Sequence, residues 1–70
     1  MNNAKDTEIE EIPMKRYDLL VIAEELHQHK VFAQSVVITE HVYQFIYEGS
    51  VVAFYPVNRT IIRNIEEAER

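Results

Sequence analysis

The sequence predicts an α+β domain with the order α-β-β-β-α, in which an N-terminal helix, a three-stranded antiparallel sheet and a short C-terminal helix follow one another. Three observations predict this class. Residues 14–29 combine helix-forming residues with apolar side chains at helical spacing, residues 31–55 are rich in β-branched and aromatic residues, and residues 58–69 return to helical spacing. A chain of 70 residues makes one domain, expected at 13–70 after an acidic, flexible N-terminal arm at 1–12.

The first helix is expected to follow Pro13, which suits a first helical turn because its missing N–H costs little there. The apolar residues at i, i+3, i+4 and i+7 are Leu19, Ile22, Ala23 and Leu26. This spacing predicts one apolar stripe along a helix. Residues 17–22 also allow a rival interpretation as a buried strand, because a short apolar run is ambiguous by periodicity alone.

Three strands are predicted near residues 31–38, 42–47 and 51–55. The only glycine of the chain, Gly49, lies between the last two, where a tight hairpin turn requires positive φ. A helix capped by Thr39 is an alternative for the middle segment. The strict alternation of Tyr43, Phe45 and Tyr47 favours a strand instead.

The C-terminal helix is predicted from Asn58, a good N-cap residue. One side of this helix would carry Ile61, Ile62, Ile65 and Ala68. The run Thr60-Ile61-Ile62 by itself favours a strand, because β-branched residues are enriched in strands.

Composition limits the possible classes of protein. With 47% hydrophobic residues and no cysteine, the chain is expected to fold without disulfides or cysteine-bound zinc. No apolar run approaches the length of a membrane span, and the N-terminus has no signal-peptide pattern, so a cytoplasmic protein without a membrane partner is expected. The net charge of −5 comes from the two ends, because residues 13–65 carry equal numbers of cations and acids.

No catalytic, cofactor-binding or metal site is predicted. A single glycine excludes the phosphate-binding glycine loops, and neither serine lies in a nucleophile motif. His27, His29 and His41 are the candidate metal ligands. On a helix, however, His27 and His29 would point in different directions and converge only if that segment were extended. A non-enzymatic protein is therefore expected.

The second and third predicted strands carry apolar residues on both faces, whereas a sheet with one wet face alternates apolar and polar residues. Something must cover the second face, so we expect a binding or regulatory domain, acting as an accessory or inhibitor factor. Its partner would be a second copy in a homodimer or a larger protein. The residues predicted to contact this partner are Gln44, Ile46, Val52 and Phe54.

Nucleic-acid binding is the alternative function. Tyr43 and Tyr47 could stack on bases from one strand face, and Arg59 and Arg63 could contact phosphates from the last helix. The acidic termini and the scarcity of basic residues argue against it, because phosphate neutralisation dominates nucleic-acid affinity.

Overall fold

The structure is a computed structural model that describes residues 12–68, and these residues form an all-β domain. Its six strands are β1 (Lys15–Ile22), β2 (Leu26–Ala33), β3 (Ser35–Ile38), β4 (Val42–Tyr47), β5 (Ser50–Pro56) and β6 (Thr60–Glu67). A single 3₁₀ turn, Val57–Arg59, joins β5 to β6. Within this part of the chain, no helix has the length and apolar character needed to cross a bilayer.

The strands form two antiparallel sheets of three strands each. In the first sheet β1 lies in the centre, with β2 on one side and the last strand, β6, on the other. In the second sheet β3, β4 and β5 follow one another in chain order as two hairpins. The pairing of β1 with β6 brings the two ends of the described chain together.

Gln34 marks the point at which the chain passes from the first sheet to the second. Its backbone N–H donates to the Ile46 carbonyl at 2.8 Å. Its side-chain Nε2 donates to the Ile12 carbonyl at 3.0 Å, and its Oε1 accepts from the Glu48 N–H at 2.8 Å. These three bonds hold the bend between β2 and β3 in position, because a buried or half-buried polar group is stable only when it is hydrogen-bonded.

The core lies between the two sheets and is small. Its buried side chains are Tyr17, Leu19, Val31, Ala33 and Phe45. The rings of Tyr17 in the first sheet and Phe45 in the second meet edge to face, with centroids 5.0 Å apart. Phe45 makes a second edge contact with Tyr55 at 5.9 Å. Phe45 therefore contacts aromatic rings of both sheets.

The hairpin between β4 and β5 closes through Glu48 and Gly49, as predicted from the lone glycine. Both residues have positive φ, 51° and 79°, and Tyr47 pairs with Ser50 on either side of them. Two successive residues with positive φ are the signature of the two-residue turn whose twist matches that of the flanking strands.

The predicted α+β class is wrong, and so is the N-terminal helix. Residues 14–29 contain β1, a turn at residues 23–25 and the first half of β2. The supposed helical stripe is divided between two environments, because Leu19 is buried whereas Ile22 and Leu26 are exposed. Tyr17 and Leu19, two residues apart, are instead both buried, as expected for side chains on one face of a strand. The rival interpretation of residues 17–22 as a strand therefore describes this segment. Pairing with β6, far along the chain, overrides the local helix propensity.

The predicted C-terminal helix is also wrong. Residues 60–67 form β6, and Ile62 packs against the core while Ile61 and Ile65 are exposed. The β-branched run Thr60-Ile61-Ile62 had favoured a strand, and the segment is one. The open edge of β1 supplies the hydrogen bonds that a strand requires, and this pairing determines the structure of the segment.

Of the three predicted strands, the middle one has the predicted bounds, Val42–Tyr47, and the third lies within β5. The first, residues 31–38, is divided at Gln34 between β2 and β3. The predicted acidic arm, residues 1–12, lies outside the described residues except for Ile12.

We expect replacement of Phe45 by alanine to abolish folding. Loss of a buried phenylalanine costs about 3–5 kcal/mol, and a domain of this size has a total stability of about 3–5 kcal/mol. Circular dichroism at low protein concentration measures the outcome. The matched control is Phe54→Ala, whose ring is 68% exposed, and it should stay folded. Equal loss of structure in both variants would contradict the assignment of the core.

A second prediction compares two threonines, one whose hydroxyl has no hydrogen-bond partner and one whose hydroxyl has several. The Thr60 hydroxyl is buried and has no hydrogen-bond partner among the described residues. The Thr39 hydroxyl donates to the Val42 carbonyl at 3.0 Å and accepts from the N–H groups of His41 and Val42. An unpaired buried hydroxyl costs about 1–3 kcal/mol, so Thr60→Val should raise the free energy of unfolding.

Thr39→Val should lower the free energy of unfolding by about 0.5–1.5 kcal/mol, because it removes a satisfied hydrogen bond. Urea denaturation of both variants measures these opposite changes. A loss of stability in Thr60→Val as large as that in Thr39→Val would show that the Thr60 hydroxyl has a partner.

Candidate functional site

The outer face of the second sheet, opposite the core, is built by strands that contain no charged residue. Alternate residues of β3, β4 and β5 point to this face, and pairing places them in rows. One row consists of Val37, Gln44 and Phe54, and the next consists of Ser35, Ile46 and Val51. We call these six residues, with Val52, the second-sheet face.

The second-sheet face carries no charge, because the three strands beneath it contain no charged residue. The acids of this region, Glu40 and Glu48, lie in the two hairpin turns. Outward positions of an antiparallel sheet are usually polar when they face water. A face with only a serine and a glutamine as polar residues therefore has the composition of a contact surface.

Apolar side chains on the second-sheet face are substantially exposed. Phe54 is 68% exposed, Val52 51% and Val37 47%. Single exposed apolar residues are ordinary on protein surfaces, but contiguous patches beyond a few hundred Å² mark sites of interaction. Val37 lies on β3, Val52 and Phe54 lie on β5, and the half-buried side chains of Gln44 and Ile46 on β4 lie between them.

Val52 owes its position to an irregularity in the β4–β5 pairing. Phe45 pairs with Ala53 and Ile46 pairs with Val51, so that Val52 is an additional residue on β5. Such a bulge twists the strand locally and turns side chains toward a surface. Val51 and Val52 are both exposed beside Ile46 as a result.

The structure brings together the four residues predicted to contact a partner. All four belong to the second-sheet face, Val52 at the bulge and Gln44, Ile46 and Phe54 in the two paired rows. The sequence analysis missed Val37 and Val51. The period of two within each strand indicated that both residues could point outward, but only the pairing of β3 with β4 and of β4 with β5 places them in this face.

The residues of the nucleic-acid alternative are dispersed. By strand alternation Tyr43 and Tyr47 share the side of Phe45 that faces the core, and Tyr43 packs against the core cluster. Arg59 lies in the 3₁₀ turn. Arg63 lies in β6 of the other sheet, at the register shift opposite Asp18 and Leu19. The predicted helix that would have presented the two arginines together does not exist.

The outer face of the first sheet differs from the second-sheet face, because it carries a polar network across β1 and β6. Arg16 donates to Asp18 through Nε at 2.9 Å and through Nη2 at 3.1 Å. Its Nη2 also donates to Glu66 at 3.0 Å. Asn64 donates to Asp18 at 3.2 Å and to Glu66 at 2.8 Å. Each member of this network is bonded to two others.

This network changes the acidity of its members. The hydrogen bond from Arg16 holds the pKa of Asp18 below its ordinary value, with further help from Asn64 and from the positive charge of Lys30, against the effect of burial. The hydrogen bond and charge of Asp18 raise the pKa of Arg16. A shallow groove beside the network is lined by Lys30 and Arg63 as well. Asp18 pairs with Arg16, so the other two cations, Lys30 and Arg63, give the lining of this groove a net positive charge.

The three histidines do not form a metal site. His27 and His29 lie two residues apart on the strand β2, so their side chains are on the same face of the sheet. An extended segment was the condition under which the two histidines could converge. His41 lies in the turn between β3 and β4, and His29 contacts the Tyr55 hydroxyl at 3.0 Å. Among residues 12–68, no group of three histidine or carboxylate side chains is arranged to hold a metal ion.

Comparisons with known proteins add no assignment: no family model, no curated protein and no solved structure matches this chain.

The depressed pKa of Asp18 leads to a prediction about pH. A carboxyl whose pKa is lower in the folded than in the unfolded state stabilises the fold above its unfolded pKa of about 4 and loses that contribution as the pH falls through its folded pKa. Asp18→Asn should therefore be less stable than the native chain at neutral pH, and the difference should shrink below about pH 4.

Melting temperatures between about pH 6 and pH 2 test this prediction about Asp18. The matched control is Glu24→Gln, in the exposed turn between β1 and β2, whose melting curve should follow that of the native chain. A constant difference between native protein and Asp18→Asn over this range would contradict a contribution from the carboxylate.

Proposed function

We propose that this chain is a small, non-enzymatic protein-binding module that acts as a homodimer through its second sheet and has a regulatory or accessory role. The observation that carries the proposal is the second-sheet face, which is apolar, exposed and uncharged over three paired strands. Burial of such a surface is favourable by about 25 cal/mol per Å² of apolar area. The proposal places the protein in the cytoplasm, as expected from its sequence.

A second copy of the chain is the partner that this surface fits best. A two-fold contact brings the same patch together on both subunits, so every charge in it would meet a like charge near the axis. The chain has a net charge of −5, yet the strands of the second sheet have none. Two copies can thus approach through the second-sheet face without bringing like charges together.

The small core also supports association. Among residues 12–68, five apolar side chains are buried between the sheets, and domains of fewer than about 70–80 residues rarely obtain more than about 3–5 kcal/mol from such a core. Natural domains of this size add disulfides, metals or oligomerisation. The chain contains no cysteine, which leaves oligomerisation as a source of further stability.

Nucleic-acid binding has less support. Stacking requires exposed aromatic faces, whereas Tyr43 packs against the core cluster. Arg16, the basic residue at the centre of the first sheet, is bonded to Asp18 and Glu66. A cation that is already paired contributes little to phosphate binding.

Light scattering during size exclusion should give twice the chain mass of 8.3 kDa for the native protein. Phe54→Asp should give a monomer, because it places two buried charges at the contact. The matched control is Phe32→Asp, since Phe32 is 53% exposed but belongs to the first sheet, and this variant should remain a dimer.

Circular dichroism of both aspartate variants checks that each one is folded. A native protein that stays monomeric at high concentration would refute the homodimer. Dissociation by Phe32→Asp, with Phe54→Asp still dimeric, would move the contact to the other sheet.

A further inference from the structure

The side chains of the second-sheet face increase in volume from one side of the sheet to the other. On β3 they are Ser35 and Val37. On β5 they are Val51, Val52 and Phe54. The β5 side has the greater volume, because it contains the phenylalanine and the additional residue of the bulge. The face is therefore low along β3 and high along β5, with β4 between the two sides.

Gln44 lies at the centre of the second-sheet face. It belongs to the middle strand, and pairing places Val37 on one side of it and Phe54 on the other. Apolar residues precede and follow it on the same side of β4. Its side chain is half-buried. The amide of Gln34 bonds to two backbone groups, whereas that of Gln44 bonds to no other described residue.

Another sheet without charge is the cover that suits the second-sheet face. Sheets that pack face to face lie about 10 Å apart and keep their strand directions within about 30°. The outer face of the first sheet is a poor match, because it carries Arg16, Asp18 and Glu66. The second-sheet face of another copy has no charge, so it can be covered and can cover in turn.

We propose that two copies pack their second-sheet faces against each other about a two-fold axis that runs along β4, so that Phe54 of each copy rests on Val37 of the other. This inference rests on the proposed homodimer and specifies its geometry. The axis places β5 of each copy over β3 of the other, and Val51 likewise lies over Ser35 of the second copy. Large side chains thus face small ones, which gives the close packing of a protein interior.

A two-fold axis that runs across the strands packs the same faces less evenly. It places Phe54 over Phe54 of the second copy and Val37 over Val37. The two rings then hold the sheets apart on one side, and a gap is left between the valines on the other. Protein interiors contain few voids larger than a water molecule, so the axis along β4 is favoured.

The axis along β4 also gives Gln44 a hydrogen-bond partner. It passes between the two copies of Gln44, so that Nε2 of each amide donates to Oε1 of the other. This symmetric pair satisfies the two amides that the contact covers, as a covered polar group requires. A shift of one sheet along the other leaves both amides unpaired. A single polar residue in an apolar contact specifies the register of coiled coils for the same reason.

Exchange of charge between Phe54 and Val37 tests the direction of the axis. Phe54→Lys and Val37→Glu should each be monomeric, because each homodimer would bury unpaired charges. Mixed in equal amounts, they should form a heterodimer with one lysine–glutamate pair and one native contact. The mixture should dimerise at least about tenfold more tightly than either variant alone. Sedimentation equilibrium measures this difference, and circular dichroism checks that each variant is folded.

The matched control places both charges at Phe54. Phe54→Lys mixed with Phe54→Glu brings together the same pair of charges, but it should stay monomeric, because Phe54 does not face its own copy across an axis along β4. A heterodimer in this control, with none from Phe54→Lys and Val37→Glu, would overturn the proposed axis and favour the axis across the strands.

The pairing of Gln44 with its own copy is tested in the same way. Gln44→Glu and Gln44→Lys should each be monomeric and should dimerise when they are mixed. The matched control is Gln28→Glu, the same substitution at an exposed glutamine of the first sheet, which should remain a dimer by itself. A mixture of the two Gln44 variants that stays monomeric would overturn the pairing of the amides.

These outcomes are distinct from those that test the proposed homodimer. A native chain that is monomeric by light scattering would overturn both proposals. A native dimer that Phe54→Asp dissociates, but whose charge-exchange mixtures all stay monomeric, would overturn this geometry and leave the homodimer in place.

Discussion

The edge-to-face contact between Tyr17 and Phe45 is the interaction on which the arrangement of the two sheets depends. The rings lie 5.0 Å apart, and both are almost completely buried. Each sheet has only three strands, and a small sheet is stable only when one face packs against another layer. The two rings supply the largest buried side chains from each side. The chain then passes from the first sheet to the second at Gln34, whose hydrogen bonds hold the bend between β2 and β3.

The two sheets pack their inner faces against each other, and their outer faces differ in polarity. The first sheet carries a network in which Arg16, Asp18, Asn64 and Glu66 bond to one another. The second sheet presents an uncharged, mostly apolar surface. The polar network suits contact with water, and the uncharged surface of the second sheet suits a protein contact. The difference between the two faces is the basis of the proposed function.

Local patterns predicted the second sheet and failed for the first. In the second sheet each strand joins the next through a short turn, and the turn residues are readable, as with Gly49. In the first sheet β1 pairs with β6, which follows it only after the whole second sheet. Apolar residues such as Leu19, Ile22 and Leu26 fit a helix when they are considered alone. The helical expectation was wrong because the partner strand that stabilises the extended form is distant in sequence.

The sequence by itself determined the alternation of β4, the turn at Gly49, the absence of charge in the strands of residues 35–56 and the candidate contacts Gln44, Ile46 and Phe54. These features depend on neighbours within a few residues. Only the tertiary structure decided that the chain is all-β, that Val37 and Val51 join the same face, and that β5 ends its sheet without charged side chains. Strand pairing is a contact between distant segments, and its register and edges follow from the packing of the whole core.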